Sequence, residues 1–231
     1  MAEVVILSDL HGNAPALEQV VEAEGWDKQY LILGDSIGLN PYPRETISLL
    51  QSLPNTEMLQ GNHDLAVLTH GHGSVLNPYL SAFEYQYTID ETSEEQRALI
   101  QSLPSMKDVT IDGTSMRLAH AKPWLGQETG YEENNPGIRN KDVPAVASRM
   151  ADSYDYVMVG HSHEQFSVDC ATFGHDVTII NPGTLGYDNT YTTLDTETGS
   201  IEEKEVEHSV DIVSDLNAVL PPLAPDAASF L

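Results

Sequence analysis

Side chains able to ligate a metal ion or move a proton recur at short intervals in this sequence: Asp9 and His11, Asp35, Asn62 with His63 and Asp64, His120, and His161 with His163. They are imidazoles, carboxylates and one amide. The single cysteine, Cys170, has no partner for a disulfide or a thiolate zinc cluster, so any ion here must be held by nitrogen and oxygen. Mixed N/O ligation with open positions belongs to catalytic more than to structural sites, and it suits Mn²⁺, Fe or Zn²⁺. The candidates outnumber the ligands that one ion takes. A carboxylate such as Asp35 can bridge two cations about 3.5–4 Å apart, an arrangement that serves phosphoryl transfer to an activated hydroxide. Any one of these histidines alone would be an ordinary loop or core residue; the joint pattern carries the reading.

For these groups to meet, the elements that carry them must end near one another. Val4 to Leu7 is a short apolar, β-branched run that predicts a buried strand stopping at Ser8-Asp9. Tyr30 to Leu33 predicts a second strand closing on Gly34-Asp35, and Glu57 to Gln60 a third running into Gly61-Asn62-His63-Asp64. Between them, Ala14 to Ala23 reads as a helix with Pro15 in its first turn and Gly25 beyond its end, and Arg44 to Ser52 as another, ended by Leu53-Pro54. This alternation predicts an α/β layer of parallel strands, in which ligands sit beyond the carboxyl ends. Two helices are expected over Pro78 to Thr88 and Ser93 to Ser102, making 65–114 a helical flank. Strands resume at Ser115 to Ala119, Tyr156 to Val159 and Val177 to Ile180, with a Gly-, Pro- and Asn-rich loop from Lys122 to Asn140. Tyr191 to Leu194 and Ile201 to Val206 read as a hairpin, and 209–231, with Pro221, Pro222 and Pro225, as a loose tail behind a domain spanning 1–208. On extended segments residues two apart project the same way, so Asp9 with His11, and His161 with His163, each read as a pair serving one cluster.

In order, the blocks Asp9-Leu10-His11, Gly34-Asp35, Gly61-Asn62-His63-Asp64, Ala119-His120 and Gly160-His161-Ser162-His163 resemble the pattern of the calcineurin-like metallophosphoesterases. Asn181-Pro182-Gly183-Thr184 and the stretch Gly34 to Pro41 are similar to the small prokaryotic phosphodiesterase branch of that family. The resemblance implies a four-layer α/β/β/α sandwich, with two mixed sheets flanked by helices. It implies two divalent cations, Mn²⁺ foremost with Fe, Zn²⁺ or Ni²⁺ as alternatives. One would be held by Asp9, His11, Asp35 and His163, the other by Asp35, Asn62, His120 and His161. His63 would face the scissile phosphate with Asn62, stabilise growing charge and protonate the leaving oxygen, with Asp64 orienting it. The implied reaction is hydrolysis of a phosphate ester by metal-activated hydroxide. Protein phosphatases of that family carry arginines beside the second and third blocks; here those stretches read Ser36-Ile37-Gly38 and Gln60. Without that fork a small phosphodiester is favoured over a phosphoprotein. Phosphomonoesters or nucleotides, and a non-catalytic protein-binding scaffold of the same fold, are the alternatives. Lys122, in His120-Ala121-Lys122-Pro123, is a weak candidate for substrate contact.

Charge bounds the partners. Ten Lys and Arg against thirty-six Asp and Glu give a formal value of −26, a field that repels long nucleic acids. A small phosphate ester remains admissible if cations draw it in. No apolar run is long enough to span a bilayer, and Met1 leads directly into a short hydrophobic run, so the expectation is a cytoplasmic protein without membrane attachment; a homo-oligomer is compatible. The acids are scattered and lysine is scarce, as on proteins from salt-loving organisms. At molar salt the Debye length is roughly 3 Å and self-repulsion is screened. The melting temperature is therefore expected to fall when KCl is lowered from molar to dilute; a melt that does not move would overturn this. His70, His72, His175 and His208 read as surface residues, Trp124 and Tyr131 as loop aromatics closing over the core, and Cys170 as inert.

Overall fold

The computed structural model describes residues 3–69, 87–124 and 137–207. His70, His72, Tyr131, His208, the helix expected from Pro78, most of the Lys122–Asn140 loop and the 209–231 tail lie outside the described residues.

The described chain builds two five-stranded mixed sheets. In the first, β1 (Glu3–Leu7), β2 (Gln29–Ile32) and β3 (Thr56–Met58) run parallel, and the hairpin β9 (Thr190–Asp195) and β10 (Ile201–Glu205) is added antiparallel in the order β10-β9-β1-β2-β3. In the second, β5 (Thr114–Ala119), β6 (Tyr156–Val159) and β8 (Thr178–Asn181) are parallel. Its antiparallel edges are β4 (Met106–Ile111) and β7 (Phe166–Asp169), in the order β4-β5-β6-β8-β7.

Strand periodicity explains how the sheets are covered. Val4 and Ile6 point inward with Leu31 and Leu33 and meet Met116, Leu118, Met158 and Ile180 of the other sheet. The alternate residues Val5, Leu7 and Ile32 face outward against Leu17, Val20 and Val21 of α1 (Ala14–Glu24) and Leu50 of α2 (Pro43–Ser52). Across the sandwich Val157, Val159 and Ile179 meet Val143, Val146 and Met150 of α6 (Val143–Met150). Both faces of each central strand are thus dry, which is why the strands read as unbroken apolar runs. The layers are α/β/β/α.

Three short helices complete the flank beside β3: α3 (Asn62–Leu68), α4 (Thr88–Glu91) and α5 (Glu94–Ser102). Ile37, Ile47, Val67 and Ile100 join them to α2 in a small core of their own. Ser93 and Gln96 form a reciprocal capping box that starts α5. Four features depart from the sequence reading. The third block opens a helix, α6 lies in a stretch where no element was predicted, β4 adds a strand within 65–114, and β7 adds another after His163. β4 is partly exposed along its length, so it lacks the apolar run that marks the interior strands. No helix among the described residues is long and apolar enough to cross a membrane.

Candidate metal centre

The candidate ligands stand just past the carboxyl ends of strands in both sheets. Asp9 and His11 follow β1, Asp35 follows β2, Asn62 begins α3 after β3, His120 directly follows β5, and His161 and His163 follow β6. Five of them hold left-handed backbone: Asp9 at φ 53°, His11 at 51°, Asp35 at 52°, His161 at 64° and His163 at 58°. Such conformations cost about 1 kcal/mol or more for a residue other than glycine, and they persist only where the surroundings hold them. Here the loops hold each other: Asp9 N donates to Gly34 O at 3.1 Å, His11 N to Asp35 O at 2.9 Å and Gly160 N to His120 O at 2.9 Å. His161 N donates to the Asp9 Oδ2 carboxylate oxygen at 2.9 Å.

The side chains converge in three overlapping groups: Asp9, His11 and His163; His11, Asp35 and His63; Asp35, His120 and His161. Within each group the ligand atoms lie within 4.8 Å of one another. His163 Nε2 is 3.2 Å from Asp9 Oδ1, and His120 Nε2 is 3.3 Å from Asp35 Oδ2. Asn62 Oδ1 stands 2.7 Å from His161 Nδ1 and 3.0 Å from His120 Nε2. Asp35 and His11 each belong to two groups, so the cluster is continuous. Asp9 and His11 do share a group, but His161 and His163 separate, one toward Asn62 and the other toward Asp9. The two-residue spacing alone put this second pair with one cluster, whereas the family resemblance divides it between the two ligand sets. Both lie beyond the end of β6 in left-handed turns, where the two-residue alternation of a strand no longer applies.

The carboxylates are divided in a way that fits a cation. Asp9 Oδ2 accepts from Ser8 Oγ at 2.5 Å as well as from His161 N, and Asp35 Oδ1 accepts from His63 N at 2.7 Å. Their other oxygens, Asp9 Oδ1 and Asp35 Oδ2, are buried without a hydrogen bond among the described residues, as is His11 Nδ1. A buried charged oxygen left unmatched is costly, and both orphan oxygens point into a set of imidazole nitrogens. Nitrogen and oxygen donors converging on unmatched carboxylate oxygens are a donor set that fits divalent metal binding.

Electrostatics agree. Burial alone would raise the Asp35 carboxyl, but the neighbouring His120 and His63 outweigh it and hold it well below the usual carboxylate range. Asp9 is likewise lowered against its burial, chiefly by the adjacent His163 imidazole and then by His120. His11 is pushed down to about 3 by burial and then by His63, which keeps its ring in the neutral, ligating form. Burial would lower His120 too, but Asp35 raises it to about 10. The two anionic carboxylates thus form a pocket that positive charge stabilises.

Asp64 ties two loops together. Its Oδ1 accepts from Ile37 N at 3.1 Å and its Oδ2 from Gly61 N at 2.9 Å, so the fully buried carboxylate clips the Asp35 loop to the start of α3. Burial and Asp35 raise it to about 7. His63 packs edge-on against His11, with ring centroids 4.8 Å apart. Lys122 is partly buried two residues beyond His120. Trp124 packs on the α6 core under Arg149, whose guanidinium lies 4.5 Å from the ring centroid, and so closes over the core.

The Asn181-Pro182-Gly183-Thr184 block works as scaffolding. Asn181 Nδ2 donates to Gly160 O at 3.2 Å and Ser162 Oγ at 2.9 Å, and Thr184 Oγ1 donates to Asp9 O at 2.9 Å. Just beyond it stands Tyr187, which the sequence reading passed over. Its ring centroid lies 5.4 Å from that of His11 and 5.5 Å from that of His163.

The family model of the calcineurin-like phosphoesterase superfamily domain matches residues 2–199. Among solved structures, a metallophosphoesterase from Sphaerobacter thermophilus is similar at 26% identity and TM-score 0.73, with 96% of this chain and 95% of that one covered. A hypothetical protein from Pyrococcus horikoshii has 22% identity and TM-score 0.78 over 96% of this chain and 95% of its own. A novel archaeal phosphodiesterase has 19% identity and TM-score 0.51 over 88% and 99%. No curated protein matches the chain in sequence.

Proposed function

Because the chain belongs to the calcineurin-like phosphoesterase superfamily, we propose that it hydrolyses small phosphodiesters with two divalent cations, Mn²⁺ foremost. The observation that carries this is the pair of buried, unmatched oxygens, Asp9 Oδ1 and Asp35 Oδ2, facing the histidines. The residues fall into two ligand sets: Asp9, His11, Asp35 and His163, and Asp35, Asn62, His120 and His161. Bound cations supply Lewis acidity, neutralising phosphate charge and making hydroxide available near neutral pH.

The protein's own part is positioning. Asp35 is fixed by His63 N, and Asp9 by Ser8 and His161 N, so each carboxylate presents one free oxygen in a set direction. His63, partly exposed at the first turn of α3, is the group to protonate a leaving oxygen. Four of the five arginines support a diester; the fifth, Arg139, is exposed in the loop before α6. Arg44 pairs with Glu91, Arg117 with Asp108, Arg97 with backbone carbonyls, and Arg149 stacks on Trp124, so no guanidinium fork for a dianionic monoester is built from these four.

The test is release of nitrophenol from bis-p-nitrophenyl phosphate by protein stripped with chelator and then given Mn²⁺, beside the same assay on p-nitrophenyl phosphate. Faster turnover of the diester supports the proposal, faster turnover of the monoester makes it a phosphomonoesterase, and turnover of neither leaves a binding scaffold. In that assay His63→Ala is expected to lower kcat about 100-fold. Its bound Mn²⁺, measured by equilibrium dialysis, should remain near the unmutated level.

A further inference from the structure

Tyr187 is half exposed, at 49%, beside the fully buried His11 and the partly exposed His163. A single exposed aromatic is common, as Trp26 and Phe173 show, and what matters at Tyr187 is whether the backbone is free to turn it elsewhere. Here the backbone is not free. Leu185 N donates to Ser8 O at 3.1 Å and Gly186 N to Asp9 O at 2.8 Å, while Asn13 Nδ2 and Asn40 Nδ2 hold the carbonyls of Leu185 and Gly186 at 3.2 and 3.1 Å. A Cβ on Gly186 would lie 2.8 Å from Asp9 O, so the segment is pressed against the loop that carries the ligands. Tyr187 follows directly, with its ring inclined 35° to that of His163 and 55° to that of His11. The ring lies tilted against both histidines, and about half of the residue's surface is open to solvent.

We infer that Tyr187 is a fixed stacking platform at the rim of the metal centre, which selects phosphate esters bearing a planar ring, a nucleoside or an aryl group. This rests on the phosphoesterase reading and narrows its substrate class. A preset aromatic face is suited to such a group, because its position is already held before the ligand arrives and stacking accepts any flat π-surface. A rim aromatic also avoids the repulsion that an anionic chain offers to a phosphate, since it grips the uncharged end of the ester.

The test is binding, read by calorimetry on the Mn²⁺-loaded protein with three monoesters as probes: thymidine 5′-monophosphate, phenyl phosphate and methyl phosphate, with inorganic phosphate as reference. The two ring-bearing probes are expected to bind about 10-fold more tightly than methyl phosphate. Tyr187→Ala should erase that preference while leaving methyl phosphate and inorganic phosphate within about 2-fold, and Tyr187→Phe should keep it. Tighter binding of thymidine 5′-monophosphate than of phenyl phosphate assigns the nucleoside class, and the reverse assigns the aryl class. Equal binding of all three esters, or a Tyr187→Ala protein that weakens all probes alike, overturns the platform alone. Failure of every probe, inorganic phosphate included, overturns the phosphoesterase site itself and the platform with it.

Discussion

Asp35→Asn is expected to lower Mn²⁺-dependent diester hydrolysis by about 10³-fold, since removing the cation contribution forfeits several kcal/mol of charge stabilisation. Bound manganese should fall from two ions per chain to fewer than one. The substitution keeps the shape of the side chain and the acceptor that holds His63 N at 2.7 Å, so it removes charge more than structure. Asp35 is the residue common to both proposed ligand sets, so its loss disturbs the two at once. Replacing Asp9 or His163 should cost chiefly one ion. The measurement is metal content by mass spectrometry beside initial rates, with circular dichroism to show that the fold is retained. Retention of both ions and an unchanged rate would remove Asp35 from the site.

Gly61→Ala should be the most damaging change that adds only a methyl group. A Cβ there would lie 2.0 Å from Asp35 Oδ1 and 2.3 Å from Asp35 N. The second of these atoms is backbone and cannot rotate away, so the loops carrying Asp35 and Asn62 must separate. Gly61 itself has an ordinary φ of −102°, and the obstacle is space alone. We expect a loss of about 3 kcal/mol in stability, the upper part of the range for overpacking, and at least 100-fold in activity, about the effect of moving a catalytic group by an ångström. Urea unfolding gives the first quantity and the nitrophenyl assay the second. Gly160→Ala is the instructive comparison. Its Cβ would meet the Ser8 hydroxyl at 1.9 Å, and removing that hydroxyl with Ser8→Ala should restore part of the loss. A stable and active Gly61→Ala protein would mean that these loops are looser than the hydrogen bonds imply.

Much of this molecule is legible from residue types because its strands are buried on both faces. Val4 to Leu7 and Tyr156 to Val159 admit few other conformations, and the polar residues after them mark where the strands stop. β4 and β7 were not legible, being short edge strands whose polar residues face water. The ligand types were legible as chemistry, since clustered imidazole and carboxylate without thiolate imply an N/O site. Their directions were not. Which way His161 and His163 turn depends on left-handed backbone that is held by Asp9, a residue more than a hundred positions away in sequence. Nor does the sequence show that Asp64 takes backbone N–H groups from two separate loops, one on each oxygen. Tyr187 carries no motif at all, and its place follows only from the way residues 184–186 are fastened to the first ligand loop.

The distribution of the ligands between the two sheets also governs when the site can first exist. His11 and His163, whose ring nitrogens come within 3.4 Å, are separated by 152 residues of chain. β1 acquires its second neighbour only when β9 has been made. During synthesis the ribosome releases Asp9, His11 and Asp35 long before their histidine counterparts, and closing so long a loop is the slow, entropically costly part of assembly. A polypeptide terminated before His120 therefore carries both of the clustered carboxylates and none of the later imidazoles. The cluster can close only once the second sheet and β9 have been made.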